Sequence, residues 1–247
     1  MSAEKTQALV IRLADFSESS RVVTLFTRDF GKVAAIAKGA KRLKGPFESA
    51  LDLLTVCEVV FLRKSSASLD ILTEAQLQKR FKPRSGTLPS LYGGYYVAEL
   101  LDALSEEYDA HPVLYHEALA TLERLAGETP LDLTVLRFEL VLLREIGQLP
   151  VFDACVVCES PLDHAQRYGF SPGQGGLVCP ACQGDKTPRQ QITSDVANFL
   201  SVLSSESAEW PTAAPTPRQV QVLRTITNAT IAHNLGRHPR MLRYLPH

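Results

Sequence analysis

The sequence predicts an α+β multidomain protein, with a β-rich head, a helical body and a small cysteine-bearing module set into that body. Three observations carry this. Apolar residues recur with period two through the first eighty residues, they switch to helical spacing from Leu88 onward, and two Cys-x2-Cys pairs interrupt the helical pattern between Val151 and Lys186.

The head reads as five short strands. Leu9, Ile11 and Leu13 alternate with Val10 and Arg12; RVVTLFTR and KVAAIAK follow, joined across Asp29-Phe30-Gly31. LLTVCEVVFLR and LDILTEAQL complete the set, separated by a polar, Ser-rich turn over Lys64–Ser68. Five such strands with turn signals between them predict a small antiparallel barrel or sandwich, and a five-stranded Greek-key barrel fits the size. Lys82-Pro83-Arg84-Ser85-Gly86 reads as a linker. Beyond it, Leu88–Glu107 carries Leu100, Leu101 and Leu104 at helical spacing, and His111–Ala126 repeats the style before stopping at Gly127. Pro130 opens a third helix, apolar on most faces, which Gly147 and Pro150 end. An all-round apolar helix belongs at the centre of a bundle. Helical spacing resumes near Asp195, and a Pro-rich stretch over Trp210–Pro217 leads into a last helix. There Thr216 is the natural N-cap, Pro217 the first helical residue, and Gly236 the stop.

The chain has 247 residues, of which 45% are hydrophobic and 21% charged, enough to bury a core and too apolar for global disorder. No uninterrupted apolar run approaches the roughly 18 residues of a membrane span. The first fifteen residues lack the apolar stretch of a secretory leader. The expectation is a cytoplasmic protein without a membrane segment, whose five cysteines are thiols or metal ligands rather than disulfides.

The net charge of −1 hides an uneven distribution. Between Arg28 and Lys44 stand six cations, Arg28, Lys32, Lys38, Lys41, Arg42 and Lys44, against the single acid Asp29. From Val97 to Asp163, fourteen acids face Arg124, Arg137 and Arg144; from Pro211 to His247 there are five arginines and no acid. Such asymmetry points to a polyanionic partner for one part of the chain. Lys32 and Lys38 fall on one side of a period-two strand, and Gly39–Pro46 reads as a flexible basic loop. A basic run of this kind either tracks a phosphate backbone or is a solvated face, and charge alone does not decide. The nearby aromatics Phe26, Phe30 and Phe47 must in part be core. Tyr92-Gly-Gly-Tyr95-Tyr96 is either a stacking platform or the packed start of a helix.

Cys155-x2-Cys158, twenty intervening residues and Cys179-x2-Cys182 match the spacing of a four-cysteine zinc site. Each pair places two thiolates on one tight turn. Four sulfurs fill a tetrahedral ion's coordination sphere and leave no open position for water or substrate, which makes the predicted Zn2+ structural. Cys57, in an apolar run, reads as packing. No phosphate loop, HExxH helix, nucleophile elbow or dinucleotide fingerprint occurs, and no acid/base pair stands out, so the chain is expected not to be an enzyme.

Asp15 to Leu54, DFSESSRVVTLFTRDFGKVAAIAKGAKRLKGPFESALDLL, resembles the N-terminal pattern of the RecO family of bacterial DNA-repair and recombination proteins through its E-S-x-R, L-F-T, G-K and A-K-G-A-K/R elements. LYGGYYVAELLDAL and LRFELVLLREIGQLP resemble the family's first helix and the helix before its cysteines, and LGRHPRMLRYLP is a looser match to its C-terminus. The resemblance implies an N-terminal OB-fold over residues 1–80, and a helical domain over 87–247 with a zinc-binding module inserted at 151–186. It implies no enzymatic activity, but binding of single- and double-stranded DNA, annealing of complementary strands, and action with RecR and in some bacteria RecF. These proteins help RecA displace single-strand-binding protein (SSB) from gapped DNA, a role that places the chain at the nucleoid. The family's basic positions carry over to Lys32, Lys38, Lys41 and Arg42, with Arg28 and Lys44 added from charge. Some members lack the cysteines, so the zinc is not essential to the family's action; here the full set of four implies that it is present and braces the module. The family also binds the acidic, apolar tail of SSB through its helical domain, for which Arg137 and Arg144 are the candidates. The alternative reading is a zinc-ribbon and OB-fold protein that binds RNA or works in transcription.

Overall fold

A strand with one face buried needs apolar side chains at every second position, and the head supplies them. In the computed structural model, β1 (Ser2–Asp15), β2 (Arg21–Thr27), β3 (Gly31–Ala37), β4 (Thr55–Arg63) and β5 (Asp70–Arg80) form a closed barrel in the order β1-β2-β3-β5-β4. The structure describes residues 2–42, 45, 47, 50–64, 69–84, 87–162, 167–183, 190–204 and 215–246. Lys44, most of the Ser-rich turn before β5, the end of the linker at 85–86 and most of the Pro-rich stretch before 215 lie outside these residues.

All barrel pairings are antiparallel except β3 with β5, where Ala35, Ile36 and Ala37 run parallel to Asp70, Ile71 and Leu72. β1 is long enough to pair with β2 through one half and with β4 through the other, and the β1–β2 register shifts between Val10 and Arg12. This five-stranded closure with a β1–β4 pair and a β3–β5 pair is the OB-fold. Its interior holds Ala8, Val10, Val23, Leu25, Val33, Ala35, Cys57, Val59, Phe61 and Leu72. Cys57 is buried, its thiol 3.2 Å from the Ala50 carbonyl.

The chain divides into two compact units. The first, Met1–Leu131 with Arg240–Leu245, contains the barrel together with α1 (Leu88–Leu104) and α2 (Pro112–Ala126). The boundary at Leu131 falls inside the span in which the sequence pattern continues as helix. Both helices carry Pro in the first turn, and α2 stops at Gly127. The Tyr92–Tyr96 run turns out to be largely a packing device. A Cβ at Gly94 would come within 2.7 Å of Leu54 and 2.8 Å of Phe81, and one at Gly93 within 3.0 Å of Leu125. The glycines thus bring α1 close to the barrel and α2, and Tyr96 is buried, whereas Tyr92 and Tyr95 are only half-buried.

The second unit, Asp132–Pro239 with Pro246–His247, contains most of α3 (Leu131–Glu145), a four-stranded sheet, α4 (Ser194–Ser204) and α5 (Pro217–Leu235). Every residue from Leu133 to Leu143 is buried, as expected of a helix apolar on most faces, and Thr227 donates 2.6 Å to the buried Glu139 carboxylate. α5 begins with a capping box, in which Thr216 Oγ1 accepts from the Gln219 N–H and the Gln219 side chain accepts from the Thr216 N–H. It ends on Gly236 at φ +66°. The sheet comprises β6 (Val151–Cys155), β7 (Arg167–Ser171), β8 (Gly176–Val178) and β9 (Gln190–Thr193), ordered β6-β8-β7-β9. Phe152, Tyr168, Phe170, Leu177 and Ile192 pack it against Leu136, Leu140, Val196, Leu200, Leu223 and Ile226 of the helices. The cysteine module is therefore continuous with the helical core rather than an appended loop.

Gly31, which opens β3, has φ +67°, and a Cβ there would overlap the Asp109 carbonyl. Gly31→Ala is expected to destabilise the protein by about 2 kcal/mol or more, through backbone strain and this overlap together. Urea unfolding of the two proteins measures the difference.

Candidate functional site

The cations of the basic run do not form one patch. Arg28 and Lys32 stand at the β2–β3 turn, while Lys38, Lys41 and Arg42 follow the far end of β3. The strand between them separates the two groups by roughly 20 Å. At the first end both cations are engaged. Arg28 pairs with Asp29 at 3.0 Å, and Thr6 donates to the same carboxylate at 2.6 Å. These partners, Arg28 before Thr6, hold Asp29 below the usual carboxylate range. Lys32 Nζ donates 2.7 Å to the carbonyl of Asp102 near the C-terminus of α1, where an ammonium suits the negative end of the helix dipole.

The other end is built differently. The strand stops at Ala37, so Lys38 begins a turn rather than ending a strand, and Gly39 takes φ +78°. Lys41 anchors this turn to the loop between β1 and β2: its backbone N–H donates 3.1 Å to Ser19, and its Nζ reaches the Ser17 carbonyl at 3.0 Å and Asp15 at 2.9 Å. Hydrogen bonding from Lys41, assisted by Arg21 at 3.3 Å, holds Asp15 below the usual carboxylate range. Lys38 and Arg42 are exposed, and neither side chain makes an ion pair among the described residues. In the β1–β2 loop to which Lys41 ties this turn, Phe16 is 61% exposed.

The loop and the turn it is tied to, at one end of an OB barrel, thus present an exposed ring and solvent-facing cations. Phe16 escaped the sequence reading, although an aromatic inside the polar run DFSESS was a signal for it. Phe26 and Phe47 are buried, and Phe30 packs edge-on against Phe61 with ring centroids 5.6 Å apart. The aromatics of the basic run are thus core, and the exposed ring comes from the preceding loop.

In the second unit, the sulfurs of Cys155, Cys158, Cys179 and Cys182 all lie within 4.8 Å of one another. Cys155 ends β6 and Cys158 closes the turn after it; Cys179 follows β8 and Cys182 ends a 3-10 turn whose N–H bonds back to the Cys179 carbonyl at 3.0 Å. β6 and β8 pair side by side, which brings the two knuckles together. The Gly-rich stretch between them is needed for this, because a Cβ on Gly176 would come within 2.5 Å of the Val151 carbonyl. Cys158 and Cys179 are 3.8 Å apart, about the edge of a tetrahedron with metal–sulfur bonds near 2.3 Å. Burial opposes ionisation of Cys155, but the N–H groups of Cys179, Cys158 and Val157 outweigh it and bring the thiol down to about 6. Cys182 is pushed up to about 12 by its contacts with Cys179 and Cys158. Hydrogen bonding among the sulfurs thus keeps a proton at Cys182, which a bound cation would replace. The four cysteines can hold one metal ion.

Arg137 lies inside the buried stretch of α3 at 7% exposure, and Arg144 is half-buried against Glu145 at 3.1 Å. Among the described residues, no helix is long and apolar enough to cross a membrane.

Two family models match the chain: Recombination protein O N terminal over residues 1–81 and Recombination protein O C terminal over residues 86–243. Among similar curated proteins, the DNA repair protein RecO of Rhodopirellula baltica is 36% identical, covering 97% of each chain. Those of an Anaeromyxobacter species and of Halalkalibacterium halodurans are 31% and 28% identical, each over 98% of this chain and over 94% and 93% of their own lengths.

Replacing Cys155 and Cys158 together by serine is expected to abolish metal binding and lower Tm. A loss of roughly 2 kcal/mol corresponds to a fall of about 4–8 °C for a chain of this size. Elemental analysis and thermal melts of the two proteins check both effects.

Proposed function

The chain belongs to the recombination protein O family, and on that premise we propose that it is a non-catalytic mediator of DNA repair and homologous recombination. In this reading it binds single- and double-stranded DNA, anneals complementary strands, and with RecR, and RecF where present, helps load RecA onto SSB-coated DNA. It works in the cytoplasm, at the nucleoid. The names of its relatives support the repair role. The observation that carries the DNA contact is the turn with Lys38, Lys41 and Arg42, tied through Lys41 to the loop that exposes Phe16.

The chemistry required of such a site is modest. Lys38 meets phosphates as a point charge and Arg42 as a planar two-pronged donor, while Phe16 offers a ring face to an unstacked base. Neutralised phosphates let a second strand approach, which is the electrostatic requirement for annealing. Lys41 is held by Asp15 in the free protein, so its share of phosphate binding competes with that carboxylate. Arg28 and Lys32, engaged by Asp29 and Asp102, and Lys44 extend the proposed DNA path.

The metal proposed for the four cysteines is Zn2+, which favours tetrahedral sulfur sets. When bound, it would brace β6 and β8. With every ligand position taken by sulfur, the site offers no place for a substrate, which supports the non-catalytic reading. The contact with the acidic SSB tail is proposed for α3, with Arg137 and Arg144 as its cations. Their burial and pairing imply that the tail must displace Glu145 from Arg144 to be bound there.

Replacing Lys38, Lys41 and Arg42 together by alanine is expected to weaken single-stranded DNA binding and to reduce the slope of log affinity against log salt by roughly 2, for three lost phosphate contacts. An unchanged slope would place the phosphate path elsewhere. Asp15→Asn should act in the opposite direction, strengthening binding at low salt by releasing Lys41. Annealing of SSB-coated complementary strands by the wild-type protein tests mediation, and a clear preference for RNA over DNA in competition would overturn the reading.

A further inference from the structure

The acid-free C-terminal stretch and the Tyr-Gly-Gly-Tyr-Tyr run have no role in the barrel contact, yet the first unit brings parts of both together. Glu99 of α1 accepts the backbone N–H groups of Arg240 and Met241, at 2.7 and 2.8 Å. This carboxylate pins the start of a 3-10 turn, Met241–Tyr244, against α1, and Leu245 beyond it is buried. The clamp sets the Tyr244 ring 5.2 Å from that of Tyr92, with 39° between the planes. The Arg243 guanidinium lies 4.7 Å over the Tyr244 ring and donates 2.8 Å to its hydroxyl.

This is an unusual way to use a tyrosine. One that serves only as an anchor buries its ring, as Tyr96 does on the same helix. Tyr244 is instead 43% exposed, although its backbone is fixed by neighbours on both sides. Arg240 and Arg243 are also exposed, and neither forms a side-chain ion pair among the described residues. The result is a pair of rings, half open to solvent, with the Arg243 guanidinium over one of them and a second exposed cation, Arg240, just before the same turn. Rings offer stacking surface to any base, guanidinium groups stack and bind phosphate, and a duplex has no free base faces to present.

We propose that Tyr92, Tyr244 and Arg243, with Arg240 at the rim, form a second contact for single-stranded DNA, which stacks an unpaired base and holds its phosphate. This rests on the DNA-binding reading above and adds strand selectivity to it. The cations of the barrel turn attract any phosphate backbone and Phe16, in the loop tied to that turn, adds a single ring, whereas the tyrosine pair contributes a second stacking surface that accepts only a strand whose bases are unstacked.

The test is binding of labelled single-stranded and double-stranded DNA, each across a range of salt, to the full chain and its variants. Tyr244→Ala and Tyr92→Ala are each expected to lose about 5-fold or more in affinity for single strands. Double-strand affinity and the single-strand salt slope should not change. Tyr244→Phe and Tyr244→Trp keep a ring and should restore single-strand binding. In a Trp210→Phe background, which removes the one native Trp, the fluorescence of Tyr244→Trp should be quenched by single strands and not by duplex. Unchanged single-strand affinity in Tyr244→Ala would overturn the contact. So would equal loss for both DNA forms with a lowered Tm, which would mark the tyrosine as an anchor. Failure of the wild-type protein to bind either DNA would overturn the proposed function itself, and the stacking contact with it.

Discussion

The first unit depends on the short parallel pairing of β3 with β5. Only three residue pairs make it, Ala35 with Asp70, Ile36 with Ile71 and Ala37 with Leu72, but it converts an open sheet in the order β3-β2-β1-β4-β5, with two free edges, into a barrel with none. Asp70 at this seam is buried, accepts the Lys64 N–H at 2.9 Å and is hydrogen-bonded by the Tyr108 hydroxyl. A buried carboxylate is costly unless it is hydrogen-bonded, so these donors are part of what holds the seam. Closure also decides where the end of β3 lies, and hence where the basic turn meets the β1–β2 loop.

Strand and helix positions were legible in the residues because each carries a local signal. The five alternating runs became β1 to β5, and the Thr216, Pro217 and Gly236 punctuation bounds α5 as expected. Barrel closure was not legible in the periodicity, since period two shows that a strand is half-buried and not which strand it pairs with; the family resemblance supplied it. Nor was the small sheet around the cysteines. Its strands are three to five residues long, below the length at which alternation stands out.

The basic run shows how far charge counting goes. It identified Lys38 and Arg42, which the structure exposes, alongside Lys32 and Arg28, whose charges are occupied by Asp102 and Asp29. Linear spacing cannot separate these cases, because the acids and carbonyls that engage a cation come from other elements. The cysteines were the opposite case. Two turns with fixed internal spacing restrict their sulfurs so strongly that only the meeting of the two turns had to be learned from the fold, and the β6–β8 pairing provides it.

The return of Arg240–Leu245 to α1 has a consequence for how the chain is made. The first unit is assembled from both ends of the described sequence, so the second is, in topology, an insertion within it. During synthesis the barrel and its two helices emerge first and can fold early, but the Glu99 carboxylate waits for its backbone donors until residues 132–239 have been made. Arg240–Leu245 thus acts as a latch, closed on α1 after residues 132–239 have been made.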